Sequence, residues 1–119
     1  MARDRVVLQC VRDSLSGIRQ GWRRDFAIRR QLGLTLIVAL ALLVVRAPAA
    51  WLLASLVLLV LGLATELINA ALEALLDRLH PGWDETIGAA KDMASAAAFL
   101  VNSVAVATAA CALVVALSR

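Results

Sequence analysis

A chain of 119 residues that is 62% hydrophobic, with a mean hydropathy of +0.85, carries more apolar surface than a domain of its size can hide in its own core. Length allows one domain, 1–119, and composition excludes an ordinary soluble one; lipid has to solvate most of it. The net charge of +3 is unevenly spread, with eight of the twelve basic residues in 1–30 against Asp4, Asp13 and Asp25, and the long apolar remainder excludes a nucleic-acid-binding arm as its meaning.

Residues 1–30 read as a basic amphipathic surface helix. Leu8, Val11, Leu15, Ile18 and Trp22 recur at three- and four-residue steps, while Arg5, Arg12 and Arg19 lie on another side. Such a helix lies in the membrane interface. Three apolar runs follow, predicting transmembrane helices over about 31–47, 50–73 and 92–117. Trp22, Trp51 and Trp83 fall near span ends, as interfacial aromatics do. The basic arm predicts a cytoplasmic N-terminus, which puts the 46–50 turn outside and the 73–92 loop inside. Arg46-Ala-Pro-Ala-Ala50 imitates a signal-peptidase site, but about 30 preceding residues are far longer than a signal peptide's charged region. Cys10 and Cys111 read as packing residues, not a disulfide. His80-Pro81-Gly82 ends the second long helix.

The polar residues inside the apolar runs need a reason. Glu66, Asn69 and Glu73, spaced i, i+3, i+7, fall within about 60° on one helical face. A carboxylate at membrane depth costs roughly 3 kcal/mol, so it must face protein, water or substrate. Counting from Trp51 puts Glu66 about 22 Å along the span, near the cytoplasmic headgroups, and Glu73 about 10 Å further into the wet region. That separation suits chemistry between a lipid and a water-soluble reagent. A structural role for Glu66 would be a buried hydrogen bond to Asn69 or a neighbouring helix. Lys91, Asp92 and Ser95 form a second cluster; a structural role there would have Asp92 favouring a helix N-terminus and Lys91 snorkelling. P-loop, glycine-rich kinase, Cys/His metal and serine-nucleophile motifs are absent, so any phosphate would be handled by carboxylate-held magnesium and scattered cations.

The stretch Glu66-Leu-Ile-Asn69-Ala-Ala-Leu-Glu73-Ala-Leu-Leu-Asp77-Arg78 resembles the E-x-x-N-x-A-x-E-x-x-x-D signature of the bacterial integral-membrane diacylglycerol kinases. Ala90-Lys91-Asp92-Met93-Ala94-Ser95-Ala96-Ala97 is similar to that family's A-K-D-M-x-S-A-A block, at the matching distance. The resemblance implies an all-α integral membrane protein of the bacterial inner membrane: a homotrimer of three-span subunits, each with an N-terminal amphipathic surface helix and a cytoplasmic active site at subunit interfaces. It implies transfer of the γ-phosphoryl group of Mg2+-ATP to diacylglycerol, giving phosphatidic acid. Carried over, Glu66 is the general base and Glu73 a magnesium ligand with Asn69 beside it. Lys91 and Asp92 serve the nucleotide phosphates, and Ser95 lies near the lipid. Ser14, Gly17, Arg19 and Trp22 resemble the family's S-x-x-G-x-R-x-x-W stretch, with Ser14 expected toward ATP and Arg19 and Trp22 toward substrate.

Three departures stand out. Asp25 replaces the family's metal-binding Glu four residues before Arg29, one methylene shorter, and its structural alternative is an ion pair with Arg29. Val6 and Asp13 stand where some members carry basic or aromatic residues toward ATP. Asn102 is an extra polar residue in the third span. Undecaprenol kinase, from the same family, is the rival activity. A small proton-coupled transporter would explain Glu66 but gives no reason for Glu73, Asn69, Lys91 and Asp92 to gather at one end.

Overall fold

The computed structural model describes residues 2–119, with side chains from Val6 onward. Every element is helical: α1 Ala2–Arg24, α2 Phe26–Val44, α3 Ala49–Leu79 and α4 Glu85–Leu117. The last three are long and apolar enough to cross a membrane, so the protein is a multi-pass membrane protein.

The joints follow from local chemistry. A single residue, Asp25, separates α1 from α2: its backbone is extended, its N–H donates to Gly21 O at 2.9 Å, and its carboxylate accepts the Ala27 N–H at 2.7 Å as N-cap of α2. Helix α2 therefore starts at Phe26, ahead of the apolar run that begins near residue 31. At its other end Ala47 N–H returns to Leu42 O and Arg46 N–H to Leu43 O, a Schellman closure with Arg46 in the left-handed region at φ 52°. Glycine usually fills that place; Arg there costs about 1–2 kcal/mol. Pro48 then opens α3, since its missing N–H is not needed there.

Helix α3 ends at Leu79, just before His80-Pro81-Gly82, as the sequence predicts. Asp84 caps α4 by accepting the Ile87 N–H at 3.0 Å. Helix α4 thus begins seven residues before Asp92, and the N-terminal dipole role considered for Asp92 falls instead to Asp84 and Glu85.

Helices α3 and α4 pack most extensively on one another, and α2 lies against both. The core is thin: Ile28, Leu42, Leu59 and the Ala98, Ala105, Ala112 stripe of α4 are its buried apolar members. Small residues on α4 let the helix backbones approach closely. The accessible surface is 8692 Å², against about 6,200 Å² for a compact soluble monomer of this mass. Large apolar side chains such as Leu36, Ile37, Val60 and Leu100 are exposed on the spans, the surface expected where lipid or another copy is the neighbour.

Helix α1 carries Leu8, Val11, Leu15, Ile18 and Trp22 exposed. It meets the spans near Gly21, where an added Cβ would come within 2.7 Å of Ile28 Cδ1 and 2.8 Å of Leu67 Cδ2. A side chain at position 21 would have to push both methyls aside for α1 to keep its seat on α2 and α3.

Candidate active site

The polar stripe of α3 meets two other helices. Glu66 is 9% exposed, and one carboxylate oxygen accepts a hydrogen bond from Asn102 Nδ2 of α4 at 3.1 Å. One turn on, Asn69 Nδ2 donates to Glu73 Oε1 at 3.2 Å, while Asn69 Oδ1 is buried without a hydrogen-bond partner among the described residues. A buried carbonyl oxygen of this kind is expensive to leave unpaired.

These groups surround a cavity of about 340 Å³. Asp25 and Arg30 border it from the start of α2, Glu66, Asn69 and Glu73 from α3, and Ser95, Phe99 and Asn102 from α4. A second cavity, about 390 Å³, lies between α1 and α3. It runs from Gly17 and Arg24 to Asp77, and shares Asp25 and Glu73 with the first. The two carboxylates thus stand at the boundary of two polar spaces. A third space of about 340 Å³ is an apolar groove between α2 and α4 that begins at Gln31 and Asn102 and ends at Leu42 and Leu113.

Of the residues singled out from sequence, Asp25, Glu66, Asn69, Glu73 and Ser95 come together around one cavity. Lys91 does not line it; its ammonium pairs with Asp77 across α3 and α4. Asp92 is exposed and borders none of the three spaces. Ser14, Arg19 and Trp22 are exposed on α1, outside both polar cavities. Ser14 donates its hydroxyl to Cys10 O within the helix. Arg29 turns to Trp22 O at 3.3 Å and lies over the Phe26 ring at 5.9 Å, so the geometry gives it partners other than Asp25.

Three residues at the site have contacts that the sequence alone does not assign. Arg30 is one of eight arginines in the basic arm, and nothing in its spacing separates it from the rest. Asp77 stands within the recognised signature, but its pairing with Lys91 depends on how α3 and α4 pack. Asn102 signals itself as a polar residue inside a span, which demands a partner, yet that partner lies 36 positions away.

Chemically, the cavity offers a secluded carboxylate with one oxygen held by an amide, two further carboxylates toward the wetter end, and Arg30. Among the described residues no cluster of three His, Cys, Asp or Glu forms a metal site by protein ligands alone. Magnesium asks for less, since it keeps waters and takes one or two carboxylates plus phosphate oxygens. Asp25 and Glu73, which line the same cavity, fit that demand.

The family model described as prokaryotic diacylglycerol kinase matches residues 12–114. The chain is 38% identical over 98 residues to proteins named diacylglycerol kinase from Escherichia coli strain K12, Escherichia coli O157:H7 and Shigella flexneri, with 80% of this chain and 78% of each relative covered. A match across nearly all of α1 to α4, carrying the helix-borne carboxylates with it, fixes the identity at family level: the chain belongs to the prokaryotic diacylglycerol kinase family and is a membrane enzyme of the lipid-kinase type.

Proposed function

We propose that this protein transfers the γ-phosphoryl group of ATP to the free hydroxyl of diacylglycerol, giving phosphatidic acid and ADP. The observation that carries the reading is the placement of Glu66: a buried carboxylate on a cavity whose other end holds Asp25 and Glu73. The lipid hydroxyl oxygen forms a bond to the γ-phosphorus as the bond to the β,γ-bridging oxygen breaks. Glu66 takes the hydroxyl proton, and ADP leaves with the bridging oxygen. Asp25 and Glu73 would hold magnesium with Asn69 beside them, and the metal, when bound, would neutralise charge on the phosphates. Lys91 and Asp92 serve the nucleotide phosphates, with Ser14 of α1 on the ATP side. Ser95, Arg19 and Trp22 act toward the lipid.

The active form is a homotrimer in the bacterial inner membrane, with the N-terminus and the site on the cytoplasmic side. Two features support assembly. The core of one copy is thin, and Lys91, Asp92, Ser14, Arg19 and Trp22 lie outside their own chain's main cavity, where a neighbouring copy would bring them into use. The amphipathic α1 lies along the cytoplasmic interface, its exposed Leu8, Val11 and Leu15 in lipid and its arginines toward anionic headgroups.

The test is a phosphoryl-transfer assay on purified protein in mixed micelles with labelled ATP and magnesium, offering diacylglycerol or undecaprenol as acceptor. Labelled phosphatidic acid is the expected product. Labelled undecaprenyl phosphate alone would move the protein to the rival activity of the same family.

A further inference from the structure

A chain-specific polar contact accompanies Glu66. Asn102 sits in the middle of α4 and reaches Glu66 across the α3–α4 contact, its Nδ2 donating to Oε1 at 3.1 Å. The opposite side of the same amide is confined by Gly62, one turn before Glu66 on α3. A Cβ on Gly62 would run into Asn102 Oδ1 and come within 2.8 Å of Gln31 Nε2. Gln31 is itself held, donating to Leu59 O at 3.3 Å from a 4% exposed position. The Asn102 amide therefore lies in the space that a side chain at position 62 would take. A carboxylate only accepts, so the orientation that presents Nδ2 to Glu66 is the one that satisfies both groups.

We propose that Asn102 is a positioning residue for phosphoryl transfer. It fixes one oxygen of Glu66, leaves the other directed at the cavity for the lipid hydroxyl, and is itself held in place by the gap at Gly62. The inference rests on Glu66 being the base. An unheld carboxylate could rotate among several conformers, most of them unable to take the proton, so the contact should act on turnover and not on substrate affinity.

The experiment measures kcat and the KM values for ATP and diacylglycerol, in mixed micelles, for Asn102→Ala, Asn102→Ser, Gly62→Ala, the Gly62→Ala/Asn102→Ala pair and Glu66→Gln. Asn102→Ala is expected to lower kcat about tenfold, the scale of one hydrogen bond to a charged group, with both KM values within about twofold. Asn102→Ser, which keeps a donor, recovers part of the loss. Gly62→Ala lowers kcat by displacing the amide and has a smaller effect on turnover in the Asn102→Ala background, because the two changes share that contact and only the crowding of Gln31 remains. Wild-type kcat in both Asn102 variants, or full additivity of the pair, overturns the proposal. If Asn102→Ala does not accumulate, Asn102→Ser and Gly62→Ala decide the question by the same kcat and KM readings. Glu66→Gln separates the two layers: near-normal turnover there overturns the base assignment and this inference together. An inactive Glu66→Gln with unaltered Asn102 variants removes the positioning role alone.

Discussion

Helices α3 and α4 are tied by polar side chains at two levels, and the two ties differ in kind. Toward the membrane interior, Asn102 reaches a Glu66 that is 9% exposed. About 16 Å further along α3, Asp77 pairs with Lys91 where the side chains are 66% and 31% exposed. The deep link is largely shielded from solvent, so breaking it leaves a buried group short of a partner. The shallow link competes with solvent and is worth at most about 1 kcal/mol. On the proposed mechanism, one pair of helices would hold a fixed carboxylate where proton transfer needs geometry, and an exchangeable cation where a polyphosphate must bind and leave.

The largest effect should come from the deep level. Glu66→Gln removes the proton acceptor but keeps an oxygen that can accept from Asn102, so packing should survive. We expect turnover to fall by roughly a thousandfold while ATP binding persists, the range for loss of a general base. Measured by labelled phosphate transfer and nucleotide-binding titration, a Gln variant with turnover within tenfold of wild type would remove Glu66 as base.

Assembly sharpens the contrast between levels. Asp25 and Glu66 line one chain's cavity, so co-assembling Glu66→Gln with Asp25→Asn subunits should give no more activity than the Asp25→Asn subunits supply alone. Asp92 borders none of the three spaces described above, so mixing Glu66→Gln with Asp92→Asn should restore a clear fraction of activity if a neighbour supplies Asp92. No recovery in verified mixed assemblies of the second kind would argue that each subunit works alone.

The fold and half of the site were legible in the sequence for definite reasons. Apolar runs at membrane length announce α2, α3 and α4, and Pro81 marks the end of α3. Glu66, Asn69 and Glu73 share a face by helical periodicity alone, so their meeting needed no tertiary knowledge. Helix ends were less visible. The start of α4 at Glu85 lies in a polar stretch that hydropathy leaves as loop, and only the Asp84 cap reveals it. Asn102–Glu66 and Lys91–Asp77 join residues on different helices, which depends on crossing geometry that no local pattern encodes.

Asp25 stands between the two levels and has two tasks that substitution can separate. Its carboxylate caps α2 at 2.7 Å from the Ala27 N–H and borders both polar cavities. Asparagine caps as well as aspartate but carries no charge. Asp25→Asn should leave the protein folded and raise the magnesium concentration for half-maximal activity several-fold. Asp25→Ala should do the same and also lose the cap, about 1 kcal/mol. Asp25→Glu should lower the magnesium requirement if the shorter side chain leaves the metal imperfectly held. Magnesium titrations that superimpose for wild type and Asp25→Asn would leave Asp25 as a cap and nothing more.

The smallest effect belongs to the shallow tie. Asp77→Asn breaks the pair with Lys91 and removes one negative charge from the cavity that Asp77 shares with Glu73. The pair is largely exposed, so α3 and α4 should stay packed and kcat should change less than twofold. The freed ammonium no longer has to leave a carboxylate to meet a phosphate, and a polyanion entering the cavity meets less repulsion. The KM for ATP should therefore fall a few-fold, on the order of 0.2–1 kcal/mol, and the difference should shrink at high salt, as an exposed electrostatic effect must. Lys91→Met should move the same constant upward. A loss of kcat of tenfold or more in Asp77→Asn, with ATP affinity unchanged, would mean that the Asp77–Lys91 pair orders the site as firmly as Asn102 orders Glu66, and the distinction between the two levels would fail.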